Sequence, residues 1–285
     1  MLRRGKGRRG VRAALCSIVF GSIFSLGLTL AAHAKDANEC TQQSLRGSYG
    51  YVLQGLQFPS PPSPVGAMPV SAAGLMVFDG EGGLAAQDTF NSGVAISHRT
   101  GTGTYAVSSD CTGSGELGGD FAGLSFYFVI VSHGREFSFV VTNPGTDQPG
   151  VAMTTGDEEC TVASFKGTYV NTRLDYRAVD FFSTVNIGLE VASVDGKGSL
   201  FFPPVVQSLN GVFTYPTATA TYTVSSNCIA TLDLLIVDGG TSVRRRREGV
   251  VVDGGKQAWF TSANIPSTNA GTARFKRLSP HGEDD

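Results

Sequence analysis

The sequence carries none of the common signatures of catalysis. It has no G-x-S-x-G, no H-E-x-x-H and no phosphate loop with its lysine. That removes the usual sequence grounds for a serine hydrolase, a zinc protease or a P-loop nucleotide-binding protein. Close C-x-x-C pairs are also missing, which argues against a four-cysteine zinc site. No alternating series of carboxylates stands in an EF-hand pattern, which argues against that calcium loop. Charge is scarce, at 16% of residues, and there is one tryptophan. Beyond residue 34 no segment has the 3.6-residue period of an amphipathic helix.

What is present begins with a leader. Arg3, Arg4, Lys6, Arg8, Arg9 and Arg12 precede an uncharged stretch from Ala13 to Ala32, and Ala32-His33-Ala34 fits a small-x-small cleavage site. Residues 1–34 therefore read as a secretory signal peptide. An uncleaved membrane anchor is the rival reading, because the apolar stretch is long. Removing these six basic residues from the total of 22 leaves 16 Lys and Arg against 24 Asp and Glu, a formal charge of −8. So acidic a mature chain speaks against nucleic acid and anionic membranes as partners. No membrane span is expected after cleavage, and the periplasm or the extracellular space is the expected location.

One phrase occurs twice. Cys40-Thr41-Gln42-Gln43-Ser44-Leu45-Arg46-Gly47-Ser48-Tyr49 returns as Cys160-Thr161-Val162-Ala163-Ser164-Phe165-Lys166-Gly167-Thr168-Tyr169. Asp79-Gly80-Glu81-Gly82 returns as Asp195-Gly196-Lys197-Gly198, and the strand end Thr104 to Cys111 as Thr221 to Cys228. Gly134 and Asn143 return as Gly255 and Asn264. The offsets are 120, 116, 117 and 121 residues, the small drifts that loop insertions impose on a tandem duplication. The period is too long for a solenoid, and each copy can bury its own core. The expected domains are repeat 1 at 35–157, repeat 2 at 158–279 and a polar tail at 280–285.

Each repeat owns two of the four mature cysteines. An exported chain meets an oxidising compartment, and a duplicated unit closes its own bridge. The expected disulfides are Cys40–Cys111 and Cys160–Cys228. Each closes a loop of about 70 residues, worth roughly 4 kcal/mol in the chain-entropy model.

Apolar residues alternate with Thr, Ser and Gly, as where Tyr49, Tyr51 and Leu53 share one face and Phe137, Phe139 and Val141 another. Eight strands are expected per repeat. In repeat 1 they fall near 47–56, 69–79, 83–91, 101–108, 113–121, 123–132, 135–143 and 149–155. In repeat 2 they fall near 167–175, 185–194, 198–207, 211–224, 227–237, 241–247, 249–253 with 256–263, and 271–277. The Asp-Gly-x-Gly turns make tight hairpins. Short connections imply antiparallel neighbours, so the expected fold is all-β, two tandem up-and-down barrels, with a two-sheet sandwich as the alternative. A single sixteen-strand outer-membrane barrel fits poorly, because the chain ends in Pro280-His281-Gly282-Glu283-Asp284-Asp285 and not in an aromatic-ended strand.

The Cys-x(4)-Leu-x-Gly-x-Tyr opening, the Asp-Gly-x-Gly hairpin and the Gly-x-Tyr-x-Val-x-x-Asp-Cys strand end resemble exported bacterial proteins of unassigned function. Those in turn are similar to the allene-oxide-cyclase-like, calycin-type barrels. The resemblance covers residues 40–155 and 160–277 and implies a barrel in each. Its motifs are turns and cysteines. No catalytic residue of the cyclases maps onto this chain, so it implies no activity and no cofactor.

Candidate site residues are few. His98, His133 and His281 lack counterparts in the other repeat, and His133 reads as a turn residue. Asp79 and Asp195 read as turn residues rather than metal ligands. Tyr49, Tyr105, Tyr169 and Tyr222 repeat, and would line a cavity if the barrels enclose one. Within Arg244-Arg245-Arg246-Arg247, alternation sends two arginines inward. Arg245 and Arg247 are then candidates to hold a carboxylate or phosphate, against a solvated hairpin as the plainer reading. The Pro-rich run Phe58 to Pro64 is a stiff loop unique to repeat 1. No catalytic, metal or cofactor site is assigned. The expected function is non-enzymatic binding of a small apolar ligand or of a protein or surface partner. An isomerase-like or cyclase-like enzyme and a purely structural surface protein are the alternatives, and the sequence leaves the oligomeric state open.

Overall fold

The computed structural model describes residues 39–59, 66–156, 159–177, 184–264 and 269–279. The leader, most of the Pro-rich run, His281 and the tail lie outside them. Repeat 1 forms β1 (Arg46–Gln57), β2 (Met68–Asp79), β3 (Gly83–Asn91), β4 (Ile96–Val107), β5 (Thr112–Leu117), β6 (Leu124–Val131), β7 (Glu136–Val141), β8 (Thr146–Asp147) and β9 (Pro149–Thr154). Repeat 2 forms β10 (Lys166–Arg177), β11 (Thr184–Asp195), β12 (Ser199–Phe202), β13 (Val206–Leu209), β14 (Val212–Thr214), β15 (Thr217–Val224), β16 (Ile229–Asp238), β17 (Thr241–Val252), β18 (Gln257–Ser262) and β19 (Asn269–Arg277).

The molecule is two closed antiparallel barrels of eight strands in tandem. Strands β1 to β7 follow in order, and β9 returns to pair with β1. In repeat 2, β19 returns to β10 in the same way. Closure pairs the first strand of each wall with its last, and among the described residues the short β13–β14 hairpin ends in β14, which pairs on one side alone. The Asp-Gly-x-Gly phrases form the expected hairpin turns. Asp79 Oδ1 accepts the N–H groups of Glu81 at 2.7 Å and Gly83 at 2.8 Å, and Asp195 Oδ1 those of Lys197 at 2.7 Å and Ser199 at 2.9 Å. These bonds hold both carboxyls below their ordinary pKa.

The repeated opening phrase caps one end of each barrel. The N–H of Thr41 donates to Ser44 Oγ, and that of Thr161 to Ser164 Oγ, both at 3.0 Å, which tightens a one-turn 3₁₀ segment. Leu45 and Phe165 follow and are fully buried. The disulfides are Cys40–Cys111 and Cys160–Cys228, with Cα atoms 4.9 Å apart in each and separations of 71 and 68 residues. Paired cysteines of this kind fit a non-reducing compartment.

Several strand boundaries differ from expectation, each for a local reason. The strand expected at 198–207 is two, β12 and β13, broken at Pro203-Pro204, and the one at 211–224 is broken at Pro216. Proline has no N–H for the ladder. The breaks lie side by side, where the N–H of Val205 donates to Pro216 O at 2.9 Å. Conversely, the break expected after residue 247 is absent. Strand β17 runs through Glu248 and Gly249, which pair with Thr261 and Phe260. In repeat 1, β4 starts at Ile96, not 101, and β5 ends at Leu117, before a 3₁₀ turn at Gly119–Phe121.

The barrels pack through unlike outer faces. Outward residues of β1 and β2 (Val52, Ala73, Leu75) join Val250 and Val252 of β17 in one buried cluster. A Cβ on Gly50 would lie 2.3 Å from Val252 Cγ1 and 2.7 Å from Val250 Cγ1, so only glycine lets β1 approach this closely. Polar pairs cross the seam as well. The hydroxyls of Ser71 and Thr261 are 2.7 Å apart, Asn91 Nδ2 donates to Ser262 O at 2.9 Å, and Thr272 Oγ1 donates to Gln54 Oε1 at 2.8 Å. Buried polar atoms are thereby satisfied across the seam, as a lasting interface requires.

Candidate functional site

Barrels of this size suggest a site in the interior. The four repeated tyrosines do point inward and are buried. Each phenol is committed to the backbone. Tyr49 donates to Gly134 O and Tyr169 to Gly255 O, both at 2.6 Å. Tyr105 is 2.9 Å from both Gln42 O and Leu45 O, and Tyr222 is 2.8 Å from Phe165 O. Burial raises the pKa of all four, that of Tyr169 to about 12. They tie the opening turn and a hairpin to the wall. A Cβ on Gly134 would meet Ser44 O at 2.4 Å, and one on Gly255 would meet Ser164 O at 1.9 Å, so these hairpins close directly on the opening turn.

Aromatic rings fill the space around them. In barrel 1, Phe78 sits edge-on to Tyr49 at 5.4 Å and to Tyr105 at 4.9 Å, with Phe126, Phe128, Phe137 and Phe139 beside them. In barrel 2, Phe165 contacts Tyr222 at 5.4 Å and Phe275 at 5.6 Å, and Phe260 closes the group.

Farther along each barrel the interiors diverge. Barrel 1 holds Tyr51, Asp88 and Arg99. Arg99 grips Asp88 bidentately, Nε to Oδ1 at 2.9 Å and Nη2 to Oδ2 at 2.5 Å, while Tyr51 donates to Oδ2 at 2.5 Å. The guanidinium lies over the rings of Phe90, 4.1 Å away, and Phe121, 4.7 Å away. Burial first, then the charge on Asp88, pushes the Tyr51 phenol well above its ordinary pKa. Asp88 and Arg99 face each other directly across β3 and β4. A fourth strand expected from residue 101 leaves Arg99 outside the wall and so hides this pair.

Barrel 2 holds Arg173, Asp175, Glu190 and Arg247. Arg247 Nη2 is 3.3 Å from both oxygens of Asp175, and Arg173 lies 3.3 Å from Asp175 and 3.6 Å from Glu190. Asn171 donates to Glu190 at 2.8 Å, and Arg173 to Gln207 at 2.7 Å. Desolvation lowers the pKa of Arg247, against the pull of Asp175. Of the arginine run, then, Arg247 points inward to an internal carboxylate. Arg245 shares the side of the strand that Arg247 uses but is exposed, as is Arg244, and Arg246 donates to Glu248 at 2.8 Å. A separation of 72 residues between Arg247 and Asp175 hides the partnership from any local pattern.

His98 is brought to the seam between the barrels. Its Nε2 is 2.6 Å from Glu248 Oε2, which also accepts from Thr89 Oγ1 at 2.7 Å. Burial alone would raise the pKa of Glu248, but the bonds from Thr89, Arg246 and His98 together hold it below the ordinary value. His133 sits exposed in a tight turn, as expected. Among the described residues, no group of three or more His, Cys, Asp or Glu side chains could hold a metal ion.

Open space lies at the seam and along an outer wall, including a small space of about 240 Å³ at the seam beside Asp88, Arg99, His98 and Glu248. A groove of about 710 Å³ runs between the barrels past Gln54, Leu56, Val151, Leu174, Tyr176 and Arg274. Another of about 850 Å³ crosses the outer wall of barrel 2 past Phe201, Asp233, Arg244 and Arg246.

No model of a known protein family matches the chain, and no curated protein matches it.

Proposed function

We propose that the protein is an exported, non-enzymatic binding protein that works through the outside of its two barrels, in the periplasm or beyond the cell. The observation that carries this reading is the state of the interiors. Aromatic rings occupy them, and the buried carboxylates Asp88, Asp175 and Glu190 each have an internal arginine partner. A carboxylate held in such a pair is poorly placed to act as a general base on a substrate. The outer walls, in contrast, expose large apolar side chains on both barrels. The leader and the two disulfides support export. The likeness to calycin-type barrels bears on the fold and brings no activity with it.

The groove of about 710 Å³ between the barrels favours a second form of the same reading. Leu56, Val151 and Leu174 offer an apolar bed, and Arg274 offers a polar anchor, a lining suited to a small apolar molecule with one polar end.

Native mass spectrometry of the protein exported by its own host tests both forms. A bound protein or a small extra mass released on denaturation is the expected result. A bare single chain at every concentration tested overturns the proposal.

A further inference from the structure

The seam between the barrels joins two unlike faces, and a duplicated chain carries each face twice. Barrel 1 contributes its β1–β2 face with β3 beside it, and barrel 2 its β17–β18 face with β19 beside it. The corresponding strands in the other barrel are β10–β11 and β6–β7. Register makes the correspondence residue by residue. Tyr51 stands opposite Gly74 where Asn171 stands opposite Glu190, and Thr112 opposite Val129 where Ile229 stands opposite Val250. Ser71, Ala73 and Leu75 in the seam therefore correspond to Ile187, Leu189 and Val191. Likewise Glu248, Val250 and Val252 correspond to Tyr127, Val129 and Val131.

The unused copies are open and apolar. Ser71, Ala73 and Leu75 are at most 4% exposed, whereas Ile187, Leu189 and Val191 are 45–59% exposed. Val250 and Val252 are fully buried, whereas Tyr127, Val129 and Val131 are 39–43% exposed. None of the six exposed residues is charged. Side-chain size also differs between the seam faces and their free copies. Gly50 and Ala73 sit in the seam where the free face has Val170 and Leu189, and Trp259 sits in the seam where the free face has Ser138. The free β10–β11 face is thus bulkier than the seam face it copies, and at Ser138 the free β6–β7 face is smaller than its seam counterpart at Trp259.

We propose that the protein assembles head to tail, the β10–β11 face of one copy seating on the β6–β7 face of the next and repeating the contact that joins its own barrels. A heterologous contact of this kind does not terminate in a dimer. It propagates into a ring or a filament. The partner of the outer wall is then a second copy of this chain, a conclusion that rests on reading the outer walls as binding surfaces.

Sedimentation velocity of the mature protein over a concentration series tests the idea, with Leu189→Glu blocking one face and Val129→Glu the other. The wild type is expected to grow past the dimer as concentration rises. Each variant alone is expected to remain monomeric, because it lacks one of the two faces. An equimolar mixture of the two variants retains one intact pair of faces and is expected to give a dimer and nothing larger. A wild type that stays monomeric, a variant that still forms oligomers alone, or a mixture that stays monomeric overturns the proposal. Circular dichroism verifies the fold of each variant, and Ile187→Lys with Tyr127→Lys replaces a pair that fails to fold. If self-association fails while native mass spectrometry still finds another bound molecule, the binding reading stands and only the self-partner falls.

Discussion

Barrel 1 and barrel 2 are built alike at one end and differently at the other. The opening turn, the disulfide and the two backbone-bonded tyrosines are common to both. Beyond them, barrel 1 packs Leu53, Phe126 and Val141 where barrel 2 has Arg173, Arg247 and Ser262. The strand pair that carries Asp88 and Arg99 in barrel 1 is interrupted by Pro204 and Pro216 in barrel 2. Duplication has thus preserved what closes a barrel and released what fills it. One interior relies on rings around a single ion pair, and the other on a four-charge cluster.

Four perturbations break or sharpen this contrast. The largest effect is expected from Asp175→Ala, which leaves Arg247 buried without its carboxylate. Breaking a buried pair from one side costs about 3–5 kcal/mol, and urea denaturation should show the loss. The double change Arg247→Phe with Asp175→Gly, which copies barrel 1, should recover part of it. Next come the shared bridges. Replacing Cys40 and Cys111 by serine should cost about 3–4 kcal/mol, and replacing Cys160 and Cys228 should cost the same, since the loops are nearly equal in length. A clearly unequal loss would show that the common end is not equivalent in the two barrels. Gly50→Val brings the residue of the free face into the seam and forces methyls against Val250 and Val252, at a cost of about 1–3 kcal/mol in a thermal melt.

The smallest effect is electrostatic. The folded pKa of Glu248 lies below its ordinary 4.5, so its contribution to stability is present above that value. It is lost as pH falls through the lower folded value. Glu248→Gln should therefore flatten the acid limb of a stability–pH curve and leave the neutral region nearly level. An unchanged acid limb would remove Glu248 as the seam's acid-sensitive group.

Much of the fold was legible because turns and alternation are local. Asp-Gly-x-Gly specifies a hairpin wherever it occurs, and the repeated phrase located both disulfides. The prolines at 203, 204 and 216 were equally visible, but they lie within apolar runs that read as continuous strands. The interior partnerships were not legible, for a different reason. Arg247 finds Asp175, and His98 finds Glu248 150 residues away, only after closure and packing decide which faces meet. The inward alternation of Arg247 was readable from the strand period. That an internal carboxylate awaited it was not.

Closure also has a consequence for the order of events. Strand β1 is sealed by β9 and β10 by β19, so the first strand of each barrel keeps an open edge until nearly the whole repeat has emerged. During that interval the edges of β1 and β10 face two sibling closing strands, β9 and β19, built to one plan. The two native closures differ in the residues they set opposite one another. The edge of β1 sets Tyr51 against Ala152, whereas that of β10 sets Asn171 against Phe275. The two interiors thus give their closing strands unlike partners at the same place in the wall.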